Sequence, residues 1–242
     1  MHRIYLGFDP READAFAVAR HSIRRHNPPP RDMEIRGVVL DKLKESGLYT
    51  RPIETRRGVD RPVMWDVISG APMATQHAVS RFMVPIIQRH GLALFMDCDV
   101  LVRASLQPLF EIARADPSKA VWVVKHRHEP GEGVKMDGQE QTAYARKNWS
   151  SVCLWNCDHP ATRALTLEMV NTLPGRDLHR FCWMPDEAIG ELGREWNHLV
   201  GVNKVNPDAK IAHFTLGLPS MTGYHGCEFA DEWREELSRW AA

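Results

Sequence analysis

The chain has 242 residues, 43% of them hydrophobic, enough for one substantial buried core, and no linker-like segment divides it. Lys plus Arg and Asp plus Glu number 31 each, so the formal net charge is zero and no global field favours nucleic acid or an anionic membrane. No apolar run reaches the length of about 18 residues that a membrane-spanning helix needs. The opening residues Met1 to Asp9 lack the charged-then-apolar pattern of a cleaved leader. Five cysteines (Cys98, Cys153, Cys157, Cys182 and Cys227), odd in number and without a CxxC pair, are expected to be reduced thiols in a cytoplasmic protein.

In chain order, Arg3 to Phe8 reads as a short apolar strand. Asp9-Pro10 then starts a helix running to Asn27, with Phe16, Ala19 and Ile23 on one face and Arg20, Arg24, Arg25 and His26 toward its negative end. Met33 to Leu40 is the next strand, and strand–helix–strand order implies a parallel sheet covered by helices. Residues 50–75 carry Arg51, Arg56, Arg57, Asp60 and Arg61 without periodicity and are expected as a functional or mobile loop, whose arginines are either solvated or meet an anionic acceptor. Gln76 to His90 is helical by pattern, kinked or divided by Pro85. Leu92 to Met96 is wholly apolar, as in the middle of a parallel sheet. Helices are expected at 106–115, 160–171, 186–192 and around Phe229, Trp233, Leu237 and Trp240. Strands are expected at 120–124, 151–155 and 210–214, and a second polar loop at 126–148.

The chemistry centres on Asp97-Cys98-Asp99. An apolar strand ending in two acids one residue apart places both at the carboxyl edge of the sheet, where open α/β sheets bind ligands. Side chains alternate along an extended strand, so the two carboxylates start on one side. Held together they repel unless one is protonated or a cation bridges them, and oxygen ligands suit Mn²⁺ or Mg²⁺. The plainer reading is that the pair only caps the following turn.

Ser80-Arg81-Phe82, Val84-Pro85-Ile86-Ile87, Phe95 to Val102 and Leu106-Gln107-Pro108-Leu109-Phe110 together resemble glycosyltransferase family 8, retaining enzymes of the GT-A fold. The resemblance extends to Ile4 to Asp9, Asn148 to Ser151, Leu154-Trp155-Asn156, Pro185-Asp186-Glu187, Trp196-Asn197 and Ile211 to Phe214. It implies a single α/β, Rossmann-like GT-A domain over 1–242, with a mostly parallel central sheet flanked by helices. Residues 1–115 would form the nucleotide- and metal-binding half, and 116–242 the half for donor sugar and acceptor. The implied activity is transfer of a hexose from a nucleotide sugar, UDP-linked by resemblance, to an acceptor that is a glycan, a lipid-linked sugar or a small molecule. Carried over residue by residue, Phe8 and Asp9 would lie against the nucleoside and Arg81 would reach the donor sugar or diphosphate. Asp97, Asp99 and His213 would hold Mn²⁺ or Mg²⁺, with Asp97 also contacting the donor. Asn148, Ser150 and Ser151 would flank the donor sugar, and Gly217 would offer a backbone N–H to the diphosphate. Asp186 and Glu187 would stand beside the anomeric carbon. Two departures stand out: the family's usual lysine after the histidine is absent from Thr215 to Pro219, and Glu187 replaces a glutamine.

Rival readings are a haloacid-dehalogenase-like phosphatase, with Asp97 as nucleophile, and a nucleotide-sugar binding module without activity. The first is disfavoured because the acidic motif follows two strands and no paired-acid motif comes after it. His126 and His128 are expected as surface histidines, and Cys153 and Cys157 as core fillers. No nucleic-acid partner is expected, and the oligomeric state is open.

Overall fold

A computed structural model of the chain describes residues 2–28, 33–58, 62–126, 146 and 148–241. Strand β1 (His2–Gly7) leads into helix α1 (Ala13–His26) and parallel strand β2 (Met33–Val38). Asp9 makes the transition: its carboxylate accepts the N–H of Arg11 at 3.0 Å and of Gln76 at 2.9 Å, capping the turn that Pro10 starts. Helix α2 (Leu40–Glu45) follows.

Residues 50–75 are more ordered than the sequence predicts. Strands β3 (Ile53–Arg56), β4 (Val63–Asp66) and β5 (Ala71–Pro72) form a separate antiparallel sheet. Both edges are short and its faces are half-exposed, so no two-residue hydrophobic alternation marks it. Arg51 anchors it from inside. Its guanidinium donates to both carboxylate oxygens of buried Asp66, at 3.0 and 2.5 Å, and to the carbonyls of Val170 and Leu173 at 2.9 and 2.7 Å. Arg51 is therefore a packing residue and does not face an acceptor; Arg56 pairs with Glu54 and stacks on Trp65, Arg57 is exposed, and Arg61 lies outside the described residues.

Helices α3 (His77–Ser80) and α4 (Met83–Gln88) divide at Arg81-Phe82, ahead of Pro85, which sits in the first turn of α4 where its missing N–H is not needed. Then come β6 (Leu92–Met96), β7 (Val100–Val102), α5 (Gln107–Ala115), β8 (Val121–Val123) and β9 (Val152–Asn156). The expected helix over 160–171 is two pieces, α6 (Pro160–Arg163) and α7 (Leu167–Thr172), followed by α8 (Gly175–His179). Residues 186–192 are not a helix. A single 3-10 turn at Asp186–Ala188 enters strand β10 (Ile189–Glu191), because Ile189 pairs with Val121 and Gly190 with Trp122. A Cβ at Gly190 would lie 2.4 Å from the Trp122 ring, so only glycine allows this contact. Strands β11 (His198–Leu199) and β12 (Ile211–His213) precede the terminal helix α9 (Ala230–Ala241). Phe229 lies before that helix and Trp240 is exposed, so its packing face is Trp233 with Leu237 and Glu236, rather than four aromatic and aliphatic side chains.

The main sheet has the order β10-β8-β9-β6-β1-β2, all parallel except β9, which runs antiparallel to β6 and β8. Segments 1–115 and 116–242 thus meet inside one sheet. Alternate residues face two apolar layers: Tyr5, Phe95 and Trp155 with Phe82 and Phe181 on one side, Ile4, Leu6, Leu94 and Leu154 with Phe110 on the other. No helix of the described residues is long and apolar enough to cross a membrane. All five cysteines are free, with Cys153 and Cys157 buried.

Candidate active site

Central, fully paired β6 delivers Asp97 and Asp99 to the carboxyl edge of the sheet, and two backbone contacts fix the turn. Asp97 N–H donates to Ser151 C=O and Phe214 N–H to Asp99 C=O, each at 2.9 Å. Strand β12 pairs antiparallel with β7 so that His213 lies opposite Val100, which sets its imidazole beside Asp99. One donor atom each from Asp97, Asp99 and His213 lie within 4.8 Å of one another. Two carboxylate oxygens and an imidazole nitrogen fit a divalent ion of the Mn²⁺ or Mg²⁺ kind.

The carboxylates do not face each other uncompensated. Asp97 is gripped by Arg81, at 2.8 Å to one oxygen and 3.2 Å to the other, and His77 Nε2 lies 3.3 Å away. Burial alone would raise the Asp97 pKa, but the Arg81 charge and the His77 contact outweigh it and hold the group well below the usual range. His213 Nε2 lies 3.2 Å from Asp99, and although burial disfavours its charge, Asp99 raises its pKa. His213 Nδ1 bonds Asn197 Oδ1 at 2.9 Å; as an amide oxygen only accepts, Nδ1 carries the proton and Nε2 is left for an ion. Buried Asn197 then donates to Ser151 Oγ at 2.8 Å, and Ser151 Oγ donates to the Asn148 carbonyl at 2.8 Å. Asn148 has φ 62°, the left-handed conformation that Asn tolerates, and so turns the chain into β9.

The other expected residues fall into place unevenly. Arg81 lies in the site, yet its guanidinium is engaged by Asp97, by Ser150 C=O at 3.0 Å and by carbonyls of α3, so it serves Asp97 rather than reaching outward. Ser150 Oγ bonds His179 Nδ1 at 2.7 Å, and Ser151 supports Asn197; neither hydroxyl is free. Phe8 stands at the end of β1, edge-on to Phe16, while the buried Asp9 carboxylate is taken up by its cap and by Arg11. Gly217 N–H closes a turn onto Phe214 C=O at 3.0 Å instead of pointing outward. Asp186 and Glu187 are not brought to the cluster. They precede β10, whose first residue shares a register row with Ala93, at the start of β6. It is Ile189, four residues along the strands and three strands across, that lies about 13 Å and about 14 Å from Asp97 in those two directions. Asp186 pairs with Arg146, and the Glu187 carbonyl accepts from Lys119 at 2.8 Å. His126 is half-buried rather than on the surface, its carbonyl accepting from Trp149 Nε1 at 3.0 Å; His128 lies outside the described residues, as does nearly all of the loop at 126–148.

Sequence reasoning missed His77 and His179. The first is four residues before Arg81 on α3, a spacing that places both on one helix face; the second follows no pattern.

A parallel α/β sheet whose central strand ends in an acidic turn, with a histidine returned beside it by a small second sheet, defines the GT-A glycosyltransferase fold. Solved structures agree. The galactosyltransferase LgtC, solved with donor and acceptor sugar analogues, superimposes with TM-score 0.60 at 15% identity, over 98% of this chain and 95% of that one. The bifunctional glycosyltransferase WbbM matches with TM-score 0.61 at 15% identity, this chain spanning 49% of its length. GlyE of Streptococcus pneumoniae TIGR4 matches with TM-score 0.61 at 14% identity, and here the chain spans 62%. At these identities the likeness is one of fold. The chain belongs to the family of Protein CDI of Arabidopsis thaliana, to which it is 38% identical over 244 residues, or 98% of this chain and 86% of that protein. No family model matches the sequence.

Proposed function

We propose that the chain transfers a hexose from a UDP-linked donor to an acceptor with retention of anomeric configuration, using Mn²⁺ or Mg²⁺ held by Asp97, Asp99 and His213. The observation that carries this reading is the convergence of two carboxylates and a tautomer-locked imidazole at the carboxyl edge of a GT-A sheet. A bound divalent ion would neutralise the departing diphosphate. Arg81 keeps Asp97 ionised, Asn197 orients His213, and the Asn148–Ser151 turn holds both in register. Retention is assigned to attack on the same face as the leaving diphosphate rather than to a carboxylate nucleophile, a reading supported by the engagement of Asp186 with Arg146. The five free thiols favour a cytoplasmic setting.

Release of UDP from a panel of UDP-sugars in Mn²⁺ tests the reaction. Asp99→Ala should reduce it at least a hundredfold, because the ion then loses one of three ligands. Glu187→Gln should change it less than tenfold. Proton NMR of the first glycoside product should show the donor's anomeric configuration; inversion would contradict the same-face route.

A further inference from the structure

Cys98, the middle residue of the acidic turn, does not face His213. Its buried thiol donates to Glu12 Oε2 at 3.2 Å, on the α1 side of the turn. One donor atom each from Glu12, His77 and Cys98 lie within 4.8 Å of one another. His77 is 2% exposed and packs on Gly7, where a Cβ would sit 2.5 Å from its ring, so glycine is what lets the imidazole settle there. Its Nε2 is directed at Asp97, and its Nδ1 is buried with no hydrogen-bond partner. A buried polar atom without a partner is costly, and the imidazole that carries it contributes a donor to this cluster.

We propose that Glu12, His77 and Cys98 form a second cation site, for an ion of the Zn²⁺ class, separate in its donors from Asp97, Asp99 and His213. Carboxylate, imidazole and thiolate are the donors that Zn²⁺ combines, whereas Mn²⁺ and Mg²⁺ prefer sites without sulfur. Tetrahedral zinc distances require ligand atoms about 3.3–3.7 Å apart, so changes of at most about 1.5 Å in their separations close the site. On binding, the Cys98 Sγ–H bond is replaced by Sγ–metal and the proton leaves to solvent. Carboxylate and thiolate then balance the double charge. Glu12, the least buried of the three, gives the ion its entry. An ion there fixes the Asp97–Asp99 turn through its central residue. This site does not depend on the reaction proposed above.

Co²⁺ is the probe, because only thiolate ligation gives an intense near-ultraviolet sulfur-to-cobalt absorption. The test protein carries Cys182→Ser and Cys227→Ser, which remove the thiols outside the core. One equivalent of Co²⁺ should produce the band, and His213→Ala should leave it in place, since the other ligand set holds no sulfur. Cys98→Ser should abolish it, and Glu12→Gln, with the far-ultraviolet circular dichroism unchanged, should weaken Co²⁺ binding at least tenfold. Absence of the band in the test protein, or a band insensitive to both Cys98→Ser and Glu12→Gln, would overturn the assignment. Neither readout involves donor or turnover, so its failure leaves the glycosyl-transfer reading untouched.

Discussion

Asn197 bears no charge, yet it sets which nitrogen His213 presents to an ion, through the 2.9 Å bond from Nδ1. Outer partners of ligating histidines are worth about 10–100-fold in metal affinity. Asn197→Ala is therefore expected to weaken Mn²⁺ binding by about that factor, read by the electron paramagnetic resonance signal of free Mn²⁺; unchanged affinity would contradict the role. His179 makes a second residue-scale prediction. Burial first, then the Arg81 charge, pushes its pKa from 6.5 down to about 3, and Ser150 and Phe82 hold the neutral ring. The unfolded chain thus takes up a proton near pH 6.5 that the folded chain refuses until about 3, so stability falls as pH drops through this window. At pH 5 the loss relative to pH 7 is about 1–2 kcal/mol after allowing for partial exposure. Urea denaturation should show His179→Gln losing less stability between pH 7 and 5 than the parent; an equal loss would count against it. These two residues differed in legibility. Trp196-Asn197 belongs to the pattern shared with glycosyltransferase family 8, whereas His179 acts through a contact with Ser150 across 29 residues that no local period encodes.

At the scale of elements, the sequence displays what is buried on both faces or capped by strong signals. Strand β6 is apolar throughout and pairs on both sides, and Asp9-Pro10 starts α1's approach as its residue types dictate. Segments whose structure depends on distant partners were illegible. Strands β3 to β5 show no alternation because neither face is fully covered, and residues 186–192 keep a helical pattern but are drawn into the sheet by Val121 and Trp122. Arg51 gives the test of this scale. Its ion pair with Asp66 is almost fully buried and ties the small sheet to the end of α7. Removing one partner leaves a buried charge, so Arg51→Met should cost about 3–5 kcal/mol, while Arg51→Met combined with Asp66→Leu should cost distinctly less. Denaturant midpoints that are additive for the two changes would argue against a coupled pair.

Across the whole molecule, one sheet joins β1, β2 and β6 from the first half to β8, β9 and β10 from the second, and the acidic turn lies at the junction where β6 meets β9. Helix α9 is tied to α1 through Glu236, which is inaccessible and paired with His21 at 2.6 Å and Arg25 at 2.8 Å. A ligand bound at such a junction would add its binding energy to the stability of the entire domain. A ligand at a hundred times its dissociation constant adds about 2.7 kcal/mol, or roughly 5–10 °C for a domain of this size. The most direct measurement is therefore thermal unfolding against a panel of nucleotide sugars in Mn²⁺, repeated with EDTA and with Asp97→Ala plus Asp99→Ala. The account predicts that a UDP-sugar raises the midpoint by several degrees, and that chelation or the double substitution removes the rise. A panel in which no nucleotide sugar moves the midpoint, or in which the shift survives both treatments, would contradict it.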